Sequence, residues 1–213
     1  TDAANWAIMS YIGRVSYNYD SKYMITANMR ADGSSKLAPE SRWAYSPSVS
    51  AAWRMSAESF MEDIDWIYDI KLRGGWGQLG NQSGLGDYAY LMRWNTSRQP
   101  WWEPEFATAV PTLSQASLRA TDLTWETTTQ TGVGLDLNLF DGRLSFILDA
   151  YYKKTTDMLV WADIPAGAAP VSSIQRNEGT MTNKGIEFSV STKNLTGEFT
   201  WNTDFNMSFN RNE

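Results

Sequence analysis

Residues 131–152 read "TGVGLDLNLFDGRLSFILDAYY", and the way this stretch folds decides the architecture of the chain. Val133, Leu135, Leu137 and Leu139 recur at every second residue, with Gly134, Asp136 and Asn138 between them. A period of two puts the two sets on opposite faces of a β-strand. Asp141-Gly142 follows, a pair that tolerates the positive φ of a type I′ hairpin turn. With this pair as the turn, Phe140 lies opposite Arg143. The register then continues as Leu139 with Leu144, Leu137 with Phe146, Leu135 with Leu148 and Val133 with Ala150, all apolar. The other face pairs Asn138 with Ser145, Asp136 with Ile147 and Gly134 with Asp149, polar or small apart from Ile147. Turn chemistry and face pattern select one register, the agreement between levels expected of a real hairpin.

The same pattern recurs outward in both directions. Val15, Tyr17 and Tyr19 lead into Asp20-Ser21-Lys22, and Tyr23, Ile25, Ala27 and Met29 carry the apolar face back. Ile186, Phe188 and Val190 lead into Asn194-Leu195-Thr196-Gly197 and return as Phe199, Trp201, Phe205 and Met207. Tyr45, Pro47, Val49, Ala51, Trp53 and Met55 alternate with small or polar residues, as do Ile70 and Leu72 with Lys71 and Arg73. Eight strands are predicted, near 5–19, 23–31, 43–55, 69–79, 124–140, 143–160, 183–193 and 198–210. Their connections alternate between tight and long, with a linker at 56–68 that carries one short helix beginning near Ser56 and a long loop over 80–123.

Composition removes most catalytic options. The 213 residues include no Cys and no His, which excludes thiol chemistry, Cys/His zinc sites and imidazole acid–base catalysis. Gly75, Gly77 and Gly80 spell G-x-G-x-x-G, but the turn-rich run at 81–87 cannot open the helix a dinucleotide needs. These glycines instead line the polar face of the fourth strand and its exit, leaving room for a close neighbour. No cofactor and no metal is expected, and Asp32-Gly33-Ser34-Ser35 reads as a turn without the spaced oxygens of a calcium loop. A net charge of −6 without a Lys/Arg cluster argues against nucleic acid. The chain starts at Thr1 and stops inside an alternating run, so an excerpt of a longer protein is expected.

No apolar run approaches the roughly 18 residues of a membrane helix, yet the chain carries 11 Trp, 10 Tyr and 8 Phe. Short turns on one edge, long loops on the other, two-faced strands and aromatics at strand ends describe an outer-membrane barrel. Tyr17, Tyr19, Tyr23, Trp53 and Tyr152 are the candidates for the aromatic belts. The alternative is a soluble carbohydrate-binding β-sandwich, whose inward faces alternate in the same way. Strand length weighs against it: the apolar face of the 131–152 hairpin runs about nine residues per strand, enough for a tilted membrane crossing, where sandwich strands have about five or six. Val133, Leu135, Leu137, Leu139, Leu144, Phe146 and Leu148 are therefore the expected lipid-facing residues.

Six blocks, "YNYDSKYMITANMRADGSSK", "RWAYSPSVSAAWRMS", "IKLRGGWGQLGNQ", "DLTWETTTQTGVGLDL", "RLSFILDAYYKKTTDML" and "GTMTNKGIEFSV", resemble in order and spacing the barrel of SusC/RagA-type TonB-linked outer-membrane transporters. Two positions depart from the family pattern: Ser46 stands where an aromatic is common, and Leu37-Ala38 replaces an aromatic-Gly pair, so no ligand preference is carried over. The resemblance implies an all-β fold, an antiparallel up-and-down transmembrane β-barrel present as a fragment of about eight strands of a plugged barrel of roughly 22. Residues 1–213 would be part of one TonB-dependent receptor-like β-barrel domain, with the plug, signal peptide and final strands outside this sequence. It also implies an outer-membrane location, uptake of a glycan or peptide ligand, a SusD-like lipoprotein at the mouth, contact with outer-membrane lipid, and a TonB complex engaged through a segment absent here.

Ligand contacts would come from the loop "YAYLMRWNTSRQPWWEPEF". Tyr88, Tyr90, Trp94, Trp101 and Trp102 offer stacking faces, and Glu103 and Glu105 offer acceptors. Folding of the loop onto its neighbours, or an outer aromatic belt, is the reading given more weight for these aromatics. Glu103-Pro104-Glu105 also resembles the carboxylate pair of a glycosidase, but solvated loop acids account for it better, and no enzyme activity is expected.

Overall fold

The computed structural model describes residues 5–100 and 109–213. Ten strands follow one another along the chain: β1 (Ile8–Tyr19), β2 (Tyr23–Ser34), β3 (Trp43–Arg54), β4 (Ile67–Asn81), β5 (Arg93–Pro100), β6 (Ala109–Ser117), β7 (Glu126–Leu139), β8 (Leu144–Asp163), β9 (Ser173–Thr196) and β10 (Thr200–Asn212). Eight of them form a single antiparallel sheet in the order β1-β2-β3-β4-β7-β8-β9-β10, and β5 pairs with β6 in a separate two-stranded sheet. β1 and β10 are the sheet edges, so the eight strands form an open sheet.

The register expected for the 131–152 hairpin is the one observed, from Leu139↔Leu144 through Leu135↔Leu148 to Val133↔Ala150. It extends across the sheet. One row runs Tyr17, Ile25, Ala51, Gly74, Val133, Ala150, Ile186, Phe209, apolar or glycine at every step. The next row, on the other face, runs Asn18, Met24, Ala52, Arg73, Gly134, Asp149, Glu187, Ser208. Val133, Leu135, Leu137, Leu139, Leu144, Phe146 and Leu148 share the apolar face. Gly75 and Gly77 sit on the polar face opposite Ser50 and Ser48, where a Cβ on Gly77 would lie 2.9 Å from that of Ser48. No second sheet covers the apolar face among the described residues, and Tyr17, Val133, Ile186 and Phe209 on it are each at least half exposed. A sandwich buries that face, and among the described residues it is open.

Several local expectations are corrected. The turn after β7 is centred one residue early: Phe140 and Asp141 take φ of 53° and 54°, Gly142 takes 74°, and Gly142 N–H donates to Leu139 O. Phe140 O still accepts from Arg143 N–H at 3.1 Å, the contact expected across Asp141-Gly142, while Phe140 N–H donates to Trp66 O at 3.0 Å and ties the turn to the linker. The last tight turn lies at 197–199, because β9 continues to Thr196, and Phe199 is in the turn, not in β10. Asp32, Gly33 and Ser34 belong to β2 and pair with Ser10, Met9 and Ile8. The missing Cβ of Gly33 makes room for the Trp43 ring, which would stand 3.0 Å from it. The linker holds two 3-10 turns, Met55–Ala57 and Ser59–Met61, in place of one helix.

That linker is fastened to the tight-turn end of the sheet. Tyr19, Tyr23 and Trp53 line up there, with Tyr23 and Trp53 stacked at 6.4 Å. Glu58 accepts from Tyr23 Oη at 2.6 Å and Trp53 Nε1 at 3.0 Å, with Lys22 Nζ 3.7 Å away. These hydrogen bonds, that of Tyr23 first, hold the Glu58 carboxyl below its usual range.

Candidate functional site at the polar face and the loop cluster

Alternation puts Lys71 and Arg73 of β4 on the polar face, and the register sets them against the acids of β7 and β8. Lys71 Nζ is 2.9 Å from Asp136. Arg73 reaches Asp136 through Nε at 3.0 Å and Asp149 through a terminal nitrogen at 2.6 Å. Gly134 lies between the two partners of the second contact, and a Cβ there would come within 2.6 Å of both Arg73 Cζ and Asp149 Oδ1. Glycine at 134 is thus what lets a guanidinium cross one strand to reach the next. The network borders a trough of about 880 Å³ floored by Ser48, Ser50, Gly75, Gly77 and Gly132. Short side chains keep it open, and fixed charges of both signs surround it.

At the long-loop end the chain builds a small core. Leu37, Leu85, Ala120, Leu123 and Trp125 are buried together, with Ala44, Ala89, Leu159 and Ile174 packed against them. Hydrogen bonds fasten the loops around it. Trp125 Nε1 donates to Arg42 O at 3.0 Å, Lys36 Nζ donates to Leu85 O at 3.1 Å, and Gln175 Nε2 donates to Gly84 O at 2.9 Å. Asn177 accepts from Thr124 N–H and donates to Thr124 O and Asp157 O, at the point where β8 bulges between Thr155 and Met158. Asp157 takes φ of 57° in that bulge. Above it β8 and β9 continue as a paired extension whose Leu159 and Ile174 belong to the cluster.

The expected ligand residues distribute unevenly around this cluster. Tyr88 is exposed and left-handed, with φ of 58°. Tyr90 is half-buried, and its carbonyl accepts from Ala120 N–H. Trp94 lies in β5, paired with Gln115 and 54% exposed. The structure therefore anchors Tyr90 at the cluster and presents Tyr88 and Trp94 to solvent, and no ring contact among the described residues joins the three. Trp101, Trp102, Glu103 and Glu105 lie outside the described residues.

Sequence reasoning missed two features. The ion network could have been found, because the hairpin register brings Asp149 and Gly134 together and the alternation of β4 supplies the cations. The buried loop cluster left no periodic signal, since its members come from three separate connections.

The sequence profile of the family described as TonB dependent receptor-like, beta-barrel, matches residues 1–212. The TonB-dependent receptor SusC of Bacteroides thetaiotaomicron is 34% identical over 211 residues, which cover 97% of this chain and 20% of that protein. The TonB-dependent receptor P39 of Formosa agariphila is 37% identical over 214 residues, covering 100% and 20%. Among solved structures, the RagAB peptide importer in its closed-closed state superposes with a TM-score of 0.85 at 26% identity, over 98% of this chain and 22% of that one. The chain spans about a fifth of the length of the curated relatives it matches.

Proposed function

Since the chain belongs to the TonB dependent receptor-like β-barrel family of the outer membrane, we propose that it forms eight adjacent wall strands of an importer that takes up oligosaccharides or peptides. The observation that carries this reading is the single two-faced sheet, apolar along one face and polar along the other for all eight strands. On it, Val133, Leu135, Leu137, Leu139, Leu144, Phe146 and Leu148 face lipid, and the Lys71–Arg73–Asp136–Asp149 network faces the lumen. The long-loop end is extracellular, as in outer-membrane barrels generally. A plug domain and the segment that engages TonB lie elsewhere in the full protein, and a SusD-like lipoprotein closes the mouth.

Ligand capture is assigned to the loops, with Tyr88, Tyr90, Trp94, Trp101, Trp102, Glu103 and Glu105 as candidate contacts and no bond chemistry at any of them. The peptide reading has its own support in the likeness to a peptide importer. Uptake of labelled oligosaccharides and labelled peptides by cells carrying the full-length protein, compared with a deletion strain, decides between them. Replacing Trp94, Trp101 and Trp102 together by Ala lowers capture while the barrel remains inserted. Unchanged uptake in that variant assigns the three rings to loop folding alone, and cleavage of the ligand by purified protein sinks the importer-only reading.

A further inference from the structure

The outward face, read as above, is uncharged over most of its area. Below the β8 bulge its basic residues, among those described, are Lys154, Lys184 and Arg211. They are neighbours: Lys184 pairs with both Tyr152 and Arg211, and Lys154 stands one step above Tyr152 on the same face of β8. The apolar row Ala150, Ile186, Phe209 lies immediately below them. On β1, β3 and β4 the corresponding upper rim of the face carries rings, Tyr11, Trp43, Tyr45 and Trp76, and on β8 it carries Tyr152. On β9 and β10 cations, Lys184 and Arg211, take that place.

Their geometry is suited to an anion. Glu213 Oε1 is 3.5 Å from Lys184 Nζ and 2.7 Å from Arg211 Nε, so the two cations already converge on one carboxylate oxygen. One carboxylate against three cations leaves the patch positive on a chain whose net charge is −6. A cation at the edge of the hydrocarbon layer meets whatever charge the adjacent leaflet presents, and long basic side chains reach that plane while their stems stay in apolar surroundings.

We propose that Lys154, Lys184 and Arg211 form a binding site for the phosphate groups of an outer-leaflet lipid headgroup. The proposal rests on the reading that this face meets lipid and that the long-loop end is extracellular. The test uses the full-length protein reconstituted into phosphatidylcholine vesicles containing phosphorylated lipid A, the same lipid dephosphorylated, or neither, with inorganic phosphate as competitor. Binding of the phosphorylated lipid falls about fivefold for each basic residue replaced by Gln, and on the order of a hundredfold for K154Q/K184Q/R211Q at low salt. Lys153→Gln, adjacent to Lys154 but on the opposite face, leaves binding unchanged. Equal binding by the triple variant, or equal binding of the dephosphorylated lipid, overturns the site. Displacement by inorganic phosphate at matched concentration overturns the lipid assignment. Wild-type protein that fails to enter vesicles indicts the barrel reading instead, and R211Q alone supplies the answer should the triple variant not insert.

Discussion

Leu148→Arg is the most direct probe of which face meets lipid. Leu148 pairs with Leu135 on one side and Phe188 on the other, midway between Leu144 and Tyr152 on the outward face of β8. With about 3.4 Å of rise per residue and a tilt near 40°, it sits about 10 Å from either end of that span, close to the bilayer midplane. An arginine there costs roughly 2–4 kcal/mol, a shift of about thirtyfold to a thousandfold in the folded fraction. Ile147 is the depth-matched control. It is the next residue on β8, on the opposite face, 38% exposed and paired with Asp136 and Ser189. An arginine at 147 enters a polar surface beside an acid and costs far less. Ser145→Arg, nearer the turn, behaves like the Ile147 variant. The assay is denaturant titration of the full-length barrel in lipid, read by the electrophoretic shift between folded and unfolded forms. Equal losses at 147 and 148 would refute the face assignment, and a larger loss at 147 would reverse it.

Gly134→Ala forces a methyl against the Arg73–Asp149 contact and destabilises the barrel by about 1–3 kcal/mol; the double variant with Asp149→Ala recovers part of the loss, which a denaturation double-mutant cycle detects. Leu37→Ala, at a fully buried position of the loop cluster, removes about 2–5 kcal/mol from that cluster, so hydrogen exchange accelerates in residues 82–91 and 118–125 while β7 and β8 stay protected. The depressed carboxyl of Glu58 stabilises the linker tie above the ordinary carboxylate range, and that contribution is lost as pH falls through the folded value. Thermal stability followed between about pH 7 and pH 3 therefore drops less steeply for Glu58→Gln than for wild type.

The eight-stranded sheet was legible and the loop cluster was not, for a physical reason. Where one face meets lipid and the other meets water, every second residue is constrained, and Val133 through Leu148 report their register directly. Where no face has to be apolar, no period of two is imposed. The extensions of β8 to Asp163 and of β9 from Ser173 are consequently held by ladder hydrogen bonds that leave no alternating signature. The β5–β6 hairpin was hidden inside the 80–123 loop for the same cause, since "RWNTSRQP" and "AVPTLSQAS" are mixed in polarity. The turn at 140–142 also carries a hydrogen bond from Phe140 N–H to Trp66 O, a partner more than seventy positions away in the chain and so invisible to local turn chemistry. Leu37 and Ala38 read as a departure from a pattern, and they are among the most deeply buried residues described. Among the candidate ligand residues, nothing in the sequence spacing distinguishes Tyr90, anchored at the cluster, from Trp94, exposed on the hairpin.

The separation of the β5–β6 hairpin from the eight-stranded sheet has an evolutionary reach. A change within the wall must respect a two-residue repeat, because a single inserted residue would turn lipid-facing side chains inward along the rest of a strand. A change within the hairpin disturbs no wall register, since its two strands pair only with each other. The described strands β5 and β6 can therefore vary in length or sequence without shifting the register of the other eight. Sequence change can accumulate in that segment at little cost to the eight-stranded sheet.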